Sequence, residues 1–147
     1  MRILCDTNVV LDVLLRREPW YADGLAILKA GDDNQCICCL SALSIGNIFY
    51  VGRRQVGTER SRAAISDLLD RFEIIPVDRV TLEIANAMRG SDFEDNVQSA
   101  CAVLGRTNFI VTRDPRGFQS SRVVAVTPGE LRERMRTAWS GGAMQPT

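Results

Sequence analysis

The sequence predicts an α/β fold in which strands and helices alternate and the strands run parallel. Three observations carry this reading. Short apolar runs recur at residues 3–5, 35–39, 73–77, 108–112 and 123–126, the length of buried strands. Between them lie stretches whose apolar residues repeat with helical spacing. Caps and breakers such as Ser41, Thr58, Gly90 and Thr127-Pro128 mark the junctions. About five strands separated by helices imply parallel β-α units around one sheet.

The first strand stops at Asp6. Thr7 and Asn8 follow, and Val9, Val10, Val13 and Leu14 then form a helix to about residue 15. Ligands of open parallel sheets bind beyond the carboxyl ends of the strands, so Asp6 is either a site residue or an N-cap. Arg16-Arg17-Glu18-Pro19 breaks that helix. Pro19 suits the first turn of a second one, over about 20–30, carrying Trp20, Leu25, Ile27 and Leu28. Gly31-Asp32-Asp33-Asn34 supplies a turn, and strand two takes 35–39.

Ser41 caps a third helix over about 42–54, with Ala42, Ile45, Ile48, Phe49 and Val51 inward. Leu43, Asn47, Tyr50 and Arg54 share another face of it. Thr58 opens helix four, ending near Phe72, with Ala64, Ile65, Leu68 and Leu69 as core. Strand three, 73–77, contains Pro76, which marks an edge strand or a strand end. Helix five spans about 79–88, and Gly90 stops it. Asp92 opens helix six, strand four runs 108–112, and Arg113-Asp114 follows at once. After strand five at 123–126, Thr127-Pro128-Gly129-Glu130 starts a last helix to about 138. One domain, 1–139, and a flexible tail, 140–147, result.

Composition narrows the chemistry. The 147 residues are 46% hydrophobic and 24% charged, enough for one domain with a real core. No apolar run approaches the ~18 residues of a membrane span, and the N-terminus does not fit a secretory signal, so a cytoplasmic protein is expected. There is no histidine, which removes His-based triads and the usual zinc ligands. Net charge is zero, yet Lys29 is the only lysine among 18 basic side chains. Cys36 and Cys39 formally make a C-x-x-C, but in a strand residues three apart face opposite ways. The five cysteines therefore read as buried packing in a reducing compartment.

Carboxylates remain. Asp114 repeats the arrangement of Asp6, an acid just past a buried strand, and neighbouring strands would bring the two close. Asp92 and Asp95, three apart at a helix start, share a face, although a helix N-terminus favours acids in any case. Glu94, two positions from Asp92, is expected to point elsewhere, to solvent or an ion pair. Clustered carboxylates repel unless a cation neutralises them, and oxygen-only ligands favour Mg²⁺ or Mn²⁺. Such an ion suits phosphodiester hydrolysis. Arg113, Arg116 and Arg54 can hold a nucleic-acid backbone or simply face solvent.

Asp6-Thr7-Asn8, Asp92-Phe-Glu-Asp95 and Thr112-Arg113-Asp114, in this order, resemble the PIN domain, the ribonuclease fold of VapC-type toxins in bacterial toxin–antitoxin pairs. The likeness covers about residues 1–135. It implies a three-layer α/β/α domain with a mainly parallel sheet and a metal-dependent endoribonuclease. It makes Asp6, Asp95 and Asp114 catalytic metal-binding carboxylates and Asp92 their helper. Asn8 and Thr112 would shape the pocket, and water activated by Mg²⁺ or Mn²⁺ would attack RNA. A cognate antitoxin and a homodimer are implied as partners. One departure stands out: where the family usually has an acid on the helix after strand two, this chain has Asn47. One charge fewer implies weaker metal binding, and a catalytically impaired module that binds RNA or protein is the alternative. A haloacid-dehalogenase-like phosphotransferase fits less well, since position 8 is Asn rather than a second Asp.

Overall fold

Ile3, Leu4 and Cys5 are fully buried, and the strand they form, β1 (Arg2–Cys5), is the middle of the sheet. The computed structural model describes residues 1–140. β1 pairs in parallel with β2 (Ile37–Ser41) on one side and β4 (Phe109–Val111) on the other. β3 (Glu73–Ile75) and β5 (Val124–Val126) are the edges, giving the order β3-β2-β1-β4-β5. All four pairings are parallel. The chain first builds outward from β1 through β2 to β3. It then returns to the other side of β1, so the β1/β4 boundary is the point where strand order reverses.

Seven helices among the described residues cover both faces. They are α1 (Thr7–Leu14), α2 (Tyr21–Asp32), α3 (Ala42–Val56), α4 (Thr58–Arg71), α5 (Arg79–Ala87), α6 (Phe93–Leu104) and α7 (Pro128–Ser140). Alternate β1 side chains enter different cores, which is why the strand is apolar throughout. Ile3 and Cys5 join Val9 and Val10 of α1, Ile27 of α2, Ile48 of α3, Leu68 of α4 and Leu131 of α7. Leu4 joins Ala85 of α5 and Val97, Ala100 and Cys101 of α6. The result is the three-layer α/β/α domain expected, with the sheet parallel in all its pairings. No helix among the described residues is long and apolar enough to cross a membrane.

Several boundaries shift for local reasons. Strand two runs 37–41 rather than 35–39, because Gln35 N–H closes the α2 turn onto Ala30 C=O at 2.8 Å, while Leu40 and Ser41 pair with Ile74 and Ile75. Gly31 lies inside α2 instead of ending it; a Cβ there would stand 2.7 Å from Cys38 Sγ, so glycine lets the helix settle on β2. Pro19 precedes α2, whose start is set by a turn from Tyr21 N–H to Arg17 C=O at 2.8 Å. Trp20 is exposed, and Leu69 is exposed rather than core because Leu68 takes the inward position of α4. Pro76 follows β3, which is both an edge strand and short. Ser41 caps α3 as expected, and Thr127 with Glu130 forms the reciprocal cap of α7. From residue 141 onward, the expected tail lies outside the described residues.

All five cysteines are free and buried. Cys36 sits in the α1-side core and Cys39 in the α6-side core, so the C-x-x-C spans the sheet and cannot act as a pair.

One buried acid takes no part in the sheet edge. Asp12 of α1 is 1% exposed, and its partners are Arg113 Nε at 3.3 Å and Arg17 Nη1 at 3.8 Å. Burial raises its carboxyl above the usual range, with the two arginines opposing. The Arg113 guanidinium lies over the Trp20 ring, 4.3 Å from its centroid. Arg113 is thus engaged in holding α1 rather than free to meet a polyanion.

Arg113→Met would leave Asp12 buried without its nearer cation. It is expected to destabilise the fold by about 3 kcal/mol, seen as a lower midpoint in chemical denaturation. Arg17→Ala removes the longer, more exposed contact and is expected to cost less than about 1 kcal/mol. Equal effects of the two substitutions would refute this ranking.

Candidate active site

Asp6 lies at the carboxyl end of the central strand, and its backbone N–H continues the ladder onto Val111 C=O at 2.8 Å. It occupies the N-cap position of α1 but makes no side-chain cap hydrogen bond. Its carboxylate turns elsewhere. Oδ1 accepts from Gln98 Nε2 at 2.7 Å and Oδ2 from Thr112 Oγ1 at 2.8 Å. Asn8 Nδ2 adds a long contact to Oδ2 at 3.4 Å. Asp6 is only 4% exposed, so these donors replace the water it has lost.

Thr112 ties the two strand-end acids together. Its hydroxyl donates to Asp6 and accepts from the backbone N–H of Asp114 at 3.2 Å. β1 and β4 are adjacent, so the juxtaposition follows from the strand order. Asp114 itself is exposed and caps the short 3₁₀ turn Pro115–Phe118, accepting from Arg116 N–H at 3.2 Å. It also pairs with the Arg116 side chain at 2.9 Å, and this bond holds its carboxyl below the usual range.

Helix α6 brings the remaining acids. Asp92 caps it, accepting from Asp95 N–H at 3.1 Å. The first-turn side chains lean toward the helix N-terminus. That end faces a cavity of about 520 Å³ lined by Asp6, Asn8, Asn47, Asp92, Glu94, Asp95, Thr112 and Asp114. Every carboxylate and supporting residue expected at the site thus borders one space. Among the described residues, no three acids lie close enough to form a ready-made metal cluster. The donor set itself is all oxygen, with no histidine or cysteine facing the cavity, which suits a hard divalent cation.

At Asp95 the charged form is disfavoured. Burial, then the charges of Asp92, Asp6, Glu94 and Asp114, push its carboxyl up to about 6. Gly117, in the turn after β4, packs onto it; a Cβ there would stand 2.5 Å from Asp95 Oδ2.

Two residues differ from the sequence reading. Glu94 does not face solvent: it borders the cavity, and Oε1 accepts from Asn47 Nδ2 at 2.8 Å. Its longer side chain reaches round the first turn of α6 to α3. Gln98, 1% exposed, was missed altogether. A lone amide one turn after Asp95, on the face of Val97, Cys101 and Ala102, was its signal. Of the arginines, Arg54 lines the cavity and Arg116 is exposed on Asp114, while Arg113 is held by Asp12 and Trp20.

The PIN domain family profile matches residues 2–116. Among curated proteins, ribonuclease VapC2 of Haemophilus influenzae is 29% identical over 75 residues, 51% of this chain and 52% of that protein. The chain thus spans about half the length of the curated relatives it matches. Among solved structures, VapBC2 from Rickettsia felis bound to a promoter DNA fragment superposes with a TM-score of 0.65 at 14% identity, over 86% of this chain and 98% of that one. A toxin–antitoxin complex from Klebsiella pneumoniae gives 0.65 at 23% identity, over 86% and 97%. At these identities the structural likeness speaks for the fold alone.

The raised Asp95 carboxyl fixes the sign of a stability effect. A carboxyl whose folded value is near 6 stabilises the fold fully below its unfolded value of about 4, and that contribution is lost as pH rises through 6. In EDTA at pH 7, Asp95→Asn is therefore expected to be more stable than the parent by about 1–2 kcal/mol, allowing for partial solvation. The gap should close below pH 4. Thermal melts across pH check this, and identical melts at pH 7 would refute it.

Proposed function

The chain belongs to the PIN domain family, and we propose that it is a metal-dependent endoribonuclease acting as the toxin of a toxin–antitoxin pair. The observation that carries this reading is the convergence of Asp6, Asp92, Asp95 and Asp114 on one cavity at the point where strand order reverses. The similarity to ribonuclease VapC2 supports the reaction class, and the neighbours solved as toxin–antitoxin complexes support a protein antitoxin as partner. A cytoplasmic setting and a homodimer belong to the same proposal.

Asp6, Asp95 and Asp114 would hold the cation, with Asp92 assisting. When bound, Mg²⁺ or Mn²⁺ supplies Lewis-acid polarisation of a phosphodiester and an activated water. The chain's own residues do the positioning. Gln98 and Thr112 each fix one oxygen of Asp6, so the buried carboxylate keeps one orientation. Thr112 carries the same constraint to the backbone of Asp114. Gly117 confines Asp95 from the β4 side. Arg54 on the cavity wall and Arg116, paired with Asp114, would meet RNA phosphates. Asn47 in place of an acid favours a second reading, a PIN domain that binds RNA or protein without efficient cleavage.

Cleavage of a mixed RNA pool separates the two. The purified chain is expected to cut RNA with Mn²⁺ or Mg²⁺ and to stop in EDTA. Asp6→Asn and Asp95→Ala should each lose at least about 100-fold, and Gln98→Met about 10-fold, as for a residue that orients a ligand. Parent and variants equally silent in every metal would overturn the nuclease and leave the binding module.

A further inference from the structure

Glu94 is an acid of this cavity that is restrained from another element. Its partner, Asn47, comes from α3, 47 residues earlier in the chain, and donates to Oε1 at 2.8 Å. Asp92 and Asp114 are held locally, by Asp95 N–H and by Arg116, and Asp6 is held across the fold by Gln98 of α6 and Thr112. Glu94 has no ion-pair partner among the described residues. A half-buried carboxylate directed to a space already bordered by four aspartates is unfavourable in itself. Turning it outward to water would relieve that repulsion, and Asn47 prevents it.

The identity of residue 47 fits this role. An amide carries a donor for a carboxylate and adds no charge. An acid at 47 could neither donate to Glu94 nor sit beside it without repulsion. Asn47 and Glu94 therefore form one unit, in which the carboxylate on this wall comes from α6 and the neutral support from α3.

We propose that Glu94 supplies a carboxylate to the cation-binding cluster, held there by Asn47. This rests on the metal-dependent reading above and deepens it, since it offsets the charge that α3 lacks. The pair also predicts its own exchange. In the double variant Asn47→Asp/Glu94→Gln each side chain keeps its shape, the hydrogen bond reverses direction, and the charge moves to the α3 side of the same bond.

The test is Mn²⁺ binding to the full chain by titration calorimetry at fixed pH and salt, with melts in EDTA to confirm folding. Glu94→Gln keeps an acceptor for Asn47 and loses only the charge. It is expected to weaken Mn²⁺ binding about 10-fold, while Asn47→Asp/Glu94→Gln recovers most of the loss. Glu59→Gln, on exposed α4, should bind as the parent does. If Glu94→Gln binds Mn²⁺ like the parent, Glu94 is only a fastening between helices and the proposal is overturned. The same holds if the double variant stays as weak as Glu94→Gln. A parent that takes up no Mn²⁺ overturns the metal reading itself, and Glu94's part falls with it.

Discussion

Asp6 carries a carboxylate at 4% exposure, at the end of the central strand, and such a group must be met by donors wherever the chain can supply them. Two arrive from distant places. Thr112 is set by β4 lying beside β1, and Gln98 by α6 lying across that face of the sheet. Both require the crossover connections to be complete. The hydrogen bonds to Asp6 thus tie residues 6, 98 and 112 into one arrangement, and any loosening of the sheet or of α6 would expose an unpaired charge. The burial of one acid is what makes the sheet edge well defined.

Helix α6 reaches that edge because its inward face is narrow. Ala100, Cys101 and Ala102 are fully buried small side chains, which let the helix axis approach the strands closely. Close approach is what places Gln98 Nε2 2.7 Å from Asp6. It also aims the helix N-terminus, with its partial positive charge, at the cavity bordered by Asp92, Glu94 and Asp95. That dipole acts against burial and the neighbouring acids, which together raise the Asp95 carboxyl. Cys101, like the other cysteines, contributes volume and not chemistry.

The sheet was legible because its signals are local. Apolar runs ending in acids, helical spacing between them and caps at Ser41 and Thr127 each report on a few neighbouring residues. The placement of Asp6, Asp95 and Asp114 at the ends of elements was legible for the same reason. What escaped depends on contacts across the fold. Gln98 differs from a solvated glutamine only by facing Asp6, 92 residues away. Glu94 was assigned by helical angle alone, whereas its reach to α3 is a matter of side-chain length and of Asn47. Arg113 reads in sequence as a free cation beside an acid. In the fold it is drawn under the sheet edge by Asp12, a buried charge whose need for a partner has no local trace.

These cross-fold contacts also divide the arginines. A chain of zero net charge has no general attraction to a polyanion, so any hold on one must come from cations left uncommitted near the site. Arg113 is taken by Asp12 and Trp20, and Arg116 by Asp114. The Arg116 pair is exposed and therefore weak, so a phosphate can compete for it. The exposed Asp114–Arg116 pair can therefore give way to a competing ion, whereas the buried Asp12–Arg113 pair cannot take part in any such exchange.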